Sequence, residues 1–365
     1  MSTTRWLPAV GGLLALGLAA CTMPPSTAAP RAEPPPTGHT ASAAASSVTP
    51  GPLAPLPARV RLHTGYTTAS ASMAGLWAAA EGGYFTQHGL DVEVSFVRAG
   101  AEVLAAIANG EVPLAVAGGL SLVGAALEGS DHVIVGGMND RLAQALYAAP
   151  QIPDVPALRG QTIGVSRYGA ITHLAALKIL EHYGLRAGED VNIVQTGGVP
   201  ESLAAVQTGA VQAAMLTPPN TLHARKAGLR LLIDTGDLNI PDLGTAIGTT
   251  RRYVREQPAV VEHYLAAIIE GLHRFLTDRE FGLQVIGKYT RTDDREALLD
   301  AYEYYAPFLV RDLEPSLAGL QSQLDELADT KPAARTARPE QFLDKAPLER
   351  VRATGLVERL YGTQR

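Results

Sequence analysis

Residues 90–117 read LDVEVSFVRAGAEVLAAIANGEVPLAVA. Leu90 to Val94 alternates apolar and polar residues with the period of a half-buried strand. Val103 to Ala108 carries the spacing of a helix, Gly110 stops it, and Pro113 to Ala117 reads as a short buried strand. The unit then recurs 99 positions later. Asp91-Val92 matches Asp190-Val191, Leu104-Ala105-Ala106 matches Leu203-Ala204-Ala205, and Gly110, Val112 and Ala115 match Gly209, Val211 and Ala214. Upstream, Val60 to His63 alternates like another strand, and Ser70 to Glu81 reads as a helix stopped by Gly82-Gly83. Strands alternating with helices imply βαβ units and a largely parallel sheet. A doubled unit implies two α/β lobes with a cleft between them, and ligands of open α/β sheets bind beyond the carboxyl ends of the strands.

The N-terminal residues are of another kind. Arg5 precedes the apolar run Leu7 to Ala20, which has the length of a secretory h-region. Leu18-Ala19-Ala20-Cys21 resembles the lipobox of a bacterial lipoprotein signal, with Cys21 as the lipidated residue and the chain's single cysteine. Residues 21–58 are dominated by Pro, Ala, Ser and Thr, a composition that favours extended backbone and cannot bury a core. The sequence therefore predicts a signal peptide over 1–20, a tether over 21–58, and a body held outside the cytoplasm on a lipid anchor. Thr22 is not the Asp that retains lipoproteins in the inner membrane of many Gram-negative bacteria.

Of the 365 residues, 46% are hydrophobic and 18% charged, enough apolar material for sizeable cores. A net charge of −6 and a pI near 5.9 argue against nucleic acid as a partner. One cysteine excludes an internal disulfide and a cysteine-built zinc cage. A mean hydropathy of +0.06, with its long apolar run at the N-terminus, excludes a multi-span membrane protein.

Several stretches together resemble one family. They are Gly82-Gly83-Tyr84-Phe85 with Gly89-Leu90-Asp91-Val92, then Leu158 to Val165, then Leu203 to Met215, where Gln212 stands in place of the usual Asp. Arg251-Arg252-Tyr253 to Pro258, the helix through Phe275, and Tyr302 to Pro307 continue the series. The family is the NMT1/THI5-like group of ABC-transporter substrate-binding proteins, whose solutes include nitrate, sulfonates, taurine and thiamine precursors. The resemblance spans roughly Val60 to Gly362 and rests on the order of its motifs. It implies a type II periplasmic-binding-protein fold, α/β throughout, with two lobes joined by a two-strand hinge. Lobe one is expected over 59–146 and 246–365 and lobe two over 147–245, with the hinge near Leu146-Tyr147 and Gly244-Thr245.

In this architecture a ligand meets the loops after strands and the helix N-termini behind them, where N–H groups are unpaired. Four loops qualify. The first offers Thr67, Thr68, Ser70 and Ser72; the second Gly118, Gly119 and Ser121; the third Ser166, Arg167, Tyr168 and Thr172; the fourth Thr217 and Asn220. Each hydroxyl is equally suited to capping a helix. Gly118 and Gly119 would admit a ligand close to the backbone. Arg98 and Arg167 suit an anion, whereas Glu102 and Glu201 suit an amine. Tyr66, Tyr147 and Tyr168 could stack on a ring. The residues leave open a sulfonate, nitrate or pyrimidine-type solute.

Enzyme signatures are weak. Gly282 to Lys288 spells a near P-loop, but Tyr289 replaces the magnesium-binding hydroxyl and the stretch reads as helix. Ser121 lacks the second Gly of a nucleophile elbow. The nine histidines are scattered with no metal spacing, and the clustered cysteines of related thiamine-precursor synthases are absent. Val261, Leu265, Ile268, Leu272 and Phe275 fall on one helical face and are read as lobe-one core. The sequence thus predicts a monomeric, lipid-anchored solute-binding protein working with an ABC permease and its ATPase, without cofactor, metal or catalysis. The alternatives are a chorismate-dehydratase-like enzyme on the same fold and a ligand sensor outside transport.

Overall fold

The alternation of strands and helices closes into two separate sheets. The computed structural model describes residues 51–97 and 100–362. The first run is β1 (Val60–Tyr66), α1 (Ala74–Glu81), α2 (Tyr84–Gln87), β2 (Leu90–Phe96), α3 (Gly100–Asn109), β3 (Leu114–Ala117), α4 (Gly119–Leu127) and β4 (His132–Gly137). The second is β5 (Ala145–Ala148), β6 (Thr162–Val165), α5 (Ile171–His182), β7 (Asn192–Gln195), α6 (Val199–Gln207), β8 (Ala213–Leu216), α7 (Asn220–Lys226) and β9 (Arg230–Asp234). The chain then returns to the first sheet as β10 (Ala246–Thr250). Beyond it lie α8 (Arg251–Glu256), α9 (Pro258–Thr277), α10 (Arg279–Thr290), α11 (Arg295–Tyr305), α12 (Leu317–Leu327), α13 (Ala346–Ala353) and α14 (Leu356–Tyr361).

The strand orders are β2-β1-β3-β10-β4 and β7-β6-β8-β5-β9. Each sheet is parallel except for one strand, β10 in the first and β5 in the second, and each of these enters from the other lobe. The repeat holds at atomic detail. A Cβ on Gly65 would stand 3.2 Å from Val97 and 3.3 Å from Val112; one on Gly164 would stand 3.2 Å from Thr196 and 3.3 Å from Val211. All three pairings are 99 positions apart. Gly89 and Gly188, Gly110 and Gly209, and Gly129 and Gly228 are likewise 99 apart, and all six have positive φ. Left-handed backbone strains a residue that carries a Cβ, so these turns favour glycine.

Two crossings join the lobes and pair with each other in antiparallel fashion. Met138 N–H donates to Thr245 O (2.9 Å), Asp242 N–H to Asp140 O (3.0 Å) and Leu142 N–H to Ile240 O (2.9 Å). Gly244 and Thr245 lie on the second crossing. Leu146 and Tyr147 do not lie on the first: they sit inside β5, paired with β8 and β9, because an apolar pair is worth more inside a sheet than in a link.

Each sheet has apolar clusters on both faces. Val261, Leu265, Ile268, Leu272 and Phe275 are fully buried in α9 against the first sheet. The near P-loop lies within helix α10. Residues 51–58, the end of the expected tether, are partly docked. Leu53 and Leu56 pack on the lobe-one core, and His263 Nε2 contacts Ala54 O at 3.0 Å. Among the described residues no helix is long and apolar enough to cross a membrane. The signal segment, Cys21 and Arg98 lie outside the described residues.

Candidate binding cleft

Between the two sheets lies a cavity of about 410 Å³, a volume suited to a small solute. Its walls come from both lobes and both crossings. Lobe one supplies Thr67, Thr68, Ser70, Ser72, Gly118 and Ser121; lobe two supplies Ser166, Arg167, Thr172 and Thr217. Loops starting at strand carboxyl ends place them there, since all eight parallel strands point toward the cleft side of their sheets.

Capping accounts for only part of these hydroxyls. Ser70 caps the single 3₁₀ turn before α1, accepting from Ser72 N–H at 3.4 Å. Thr172 Oγ1 accepts from Ser166 N–H (3.0 Å) and bonds Ser166 Oγ (2.7 Å), which fixes the turn before α5. The residues at the cap positions of α4, α5 and α6 are Gly118, Ala170 and Gly198, and none provides a side-chain cap. The first turns of all three helices line or abut the cavity through Leu120, Ile171 and Val199. Their unpaired N–H groups and positive dipole ends therefore face the cleft.

Seven expected site residues lie elsewhere. Tyr66 is buried in the lobe-one core against Trp77, and Glu102 is exposed in the first turn of α3. Gly119 is buried, and the space over its Cα is already taken by the Leu243 carbonyl and the Gln323 amide, so the second crossing makes the close approach expected of a ligand. Tyr147 is buried in lobe two, its hydroxyl 3.3 Å from Arg225. Tyr168 is 55% exposed, donates to Ile193 O at 3.0 Å, and does not line the cavity. Asn220 opens α7, and Glu201 folds over Gly198 at the start of its own helix; neither lines the cavity.

Other lining residues have no local sequence signal. Gln144, Asp242, Tyr305 and Gln323 all line the cavity, and all are buried. Asp242 sits on the second crossing. Gln323 Nε2 donates to its Oδ1 at 3.1 Å, and the Leu243 and Gly244 N–H groups bind the same carboxylate. Burial outweighs these bonds and pushes the Asp242 carboxyl up to about 6. Burial also pushes Glu326, one turn beyond Gln323, up to about 7; Asp242 adds to that and Lys178 of α5 opposes it. Tyr305, from α11, places its hydroxyl beside Ser70 of lobe one and Thr217 of lobe two, and burial raises its pKa.

α11 also ties the lobes outside the cavity. Asp300 accepts from Thr221 Oγ1 at 2.9 Å and from Arg225, both on α7, and Lys226 pairs with Glu296 at 2.6 Å. A second hollow of about 530 Å³ lies on the flank of lobe one beside Asp140, Arg311 and Arg352. Arg352 is already engaged there by Asp312 and Glu314. Among the described residues no cluster of His, Cys, Asp or Glu has the arrangement of a metal site.

Two open α/β lobes, joined by paired crossings around an uncapped, hydroxyl-rich cleft, define the periplasmic-binding-protein class of fold. The NMT1/THI5-like family profile matches residues 70–280, and the chain belongs to that family. A putative ABC transporter periplasmic binding protein of Brachyspira hyodysenteriae is 26% identical over 146 residues, a segment covering 40% of this chain and 41% of that protein. The match thus spans about two fifths of that relative. Among solved structures, the periplasmic aliphatic sulphonate binding protein SsuA from Escherichia coli superposes with a TM-score of 0.67 at 21% identity, over 78% of this chain and 92% of its own. A DszB mutant in complex with biphenyl-2-sulfinic acid superposes with a TM-score of 0.59 at 17% identity, over 80% and 99%.

Proposed function

We propose that this chain is the extracytoplasmic solute-binding protein of an ABC importer. A small polar solute enters between the lobes and is met by the helix N-termini of both. The lobes turn about the paired crossings, and a membrane permease with its ATPase selects the closed form, which requires only that the solute favour that form. The carrying observation is the cavity of about 410 Å³ lined from both lobes, with α4, α5 and α6 left uncapped. Thr67, Thr68, Ser70, Ser121, Ser166 and Thr172 supply hydroxyls, and Arg167 stands at the rim.

The role proposed is binding, with no reaction catalysed; Ser166 and Thr172 bond each other rather than a base. The proposal includes a monomer anchored through a lipidated Cys21, supported by the lipobox-like Leu18-Ala19-Ala20-Cys21 and the Pro-rich stretch after it.

The test is a thermal-shift panel on the purified protein with nitrate, alkyl- and arylsulfonates, taurine, aminopyrimidines and aromatic carboxylates. A ligand bound only to the native state raises the melting temperature by mass action. X-ray scattering with the strongest binder should then show a smaller radius of gyration. Stabilisation by none of them, or a binder that leaves the scattering profile unchanged, overturns the reading or its closure step.

A further inference from the structure

The cleft has two unlike ends. Its lobe-two end is a donor surface: the first turns of α5 and α6, with Arg167 exposed at the rim. Its other end, at the second crossing, sets buried acceptors beside the start of α4. Asp242 and Gln323 are 2% and 1% exposed, and both line the cavity. Gln323 must turn its Nε2 toward the Asp242 carboxylate, since only the nitrogen can donate, and this leaves its oxygen on the other side. That Oε1 is buried and accepts from no group among the described residues, and the same holds for Gln144 Oε1. Among the described residues no Lys, Arg or His pairs with Asp242; the titratable neighbour on its side is another carboxyl, Glu326 of α12, pushed up to about 7, with Lys178 across the cleft acting on Glu326.

Buried acceptors without donors are costly, and are tolerated where a ligand supplies the donor. An oxyanion placed against this end would meet the Asp242 carboxylate and the Gln323 side-chain oxygen, both repulsive. A nitrogen group with N–H donors would satisfy both. We infer that the solute carries a nitrogen group with N–H donors, such as an ammonium or amino-heterocycle, held by Asp242 and the Gln323 side-chain oxygen. Any acidic or oxygen-rich part of it points to the opposite end, at Ser166, Thr172 and the start of α5. The inference rests on the solute-binding reading above and selects within it: a simple alkylsulfonate or nitrate satisfies only the donor end.

The test is calorimetric titration of the purified protein with pairs of compounds that differ by one amino group. Two such pairs are 2-aminoethanesulfonate with ethanesulfonate, and 4-amino-2-methylpyrimidine with 2-methylpyrimidine. The amino member of at least one pair is expected to bind ~10- to 100-fold more tightly, the range for hydrogen bonds to a charged acceptor. Gln323→Met, which keeps the bulk and removes the oxygen, should erase that preference. Asp242→Asn gives a second variant, and melting curves on both establish that they fold. If amine-free members bind as tightly as their partners, this inference is overturned and the solute-binding reading stands. If no compound binds and the panel above also fails, both fall. A preference that persists in folded Gln323→Met and Asp242→Asn overturns the assignment to these residues.

Discussion

Replacing Asp300 by alanine should loosen the lobes without unfolding either. Asp300 stands on α11 of lobe one with a side chain 14% exposed, and both its partners, Thr221 and Arg225, are on α7 of lobe two. Arg225 is about half exposed, so its ion pair is screened and contributes about 0.2–1 kcal/mol. The Thr221 hydroxyl is buried and bonds a charged acceptor at 2.9 Å, a contact of about 1.5–3 kcal/mol. Only the form in which α7 touches α11 has these contacts. Its weight relative to an open form should therefore fall by about 2 kcal/mol, or ~30-fold. The Lys226–Glu296 pair remains, but both side chains are exposed and it compensates little. Apparent ligand affinity falls with the fraction of closed form. Scattering of the variant with and without solute, together with its dissociation constant, reads the effect. A Thr221→Ala, Asp300→Ala double variant should lose little more than Asp300→Ala alone. If Asp300→Ala keeps the parent's scattering profile and its affinity within twofold while its melting temperature drops, α7 and α11 are parts of one rigid body. The closure argument would then be refuted.

Three further outcomes follow from the packing. At Gly271 of α9 a Cβ would stand 2.4 Å from the Ala79 backbone nitrogen, so Gly271→Ala should force α1 and α9 apart; a stability loss of about 1–3 kcal/mol by denaturant titration is expected, and no loss would refute the close packing. The native state keeps the Glu326 proton between pH 4.5 and about 7, where the unfolded chain has lost it, so stability attributable to this group falls as pH rises through that window. Glu326→Gln should flatten that part of the stability–pH curve, and an unchanged slope would contradict it. His263→Phe removes the contact to Ala54 O and the 3.1 Å contact to His88, so limited proteolysis should cut residues 51–58 faster while the body stays intact.

The sequence by itself determined the lobes and much of the cleft rim. A βαβ unit written twice at a fixed offset carries its own strand order, and glycines 99 positions apart mark the same turns in both copies. Hydroxyl-bearing loops after β1, β3, β6 and β8 could be named because in open α/β sheets strand ends face the ligand side. The sequence also marked α9 as core, since its apolar residues recur at helical spacing.

Tertiary structure decided the rest, because those contacts join residues far apart in the chain. Tyr147 reads as a hinge aromatic until β5 is seen paired on both sides. Gly119 reads as ligand-facing until Leu243 and Gln323 are seen to fill its space. Asp242 and Gln323 are 81 positions apart, and neither stands in a motif; the bare Gly319, pressed against the Asp242 backbone, brings α12 close enough for them to meet. Tyr305 and Asp300 act on lobe two from a helix that follows the return to lobe one. Periodicity records which face of an element is buried. It does not record which distant element covers that face, and the acceptor end of this cleft is built from such coverings.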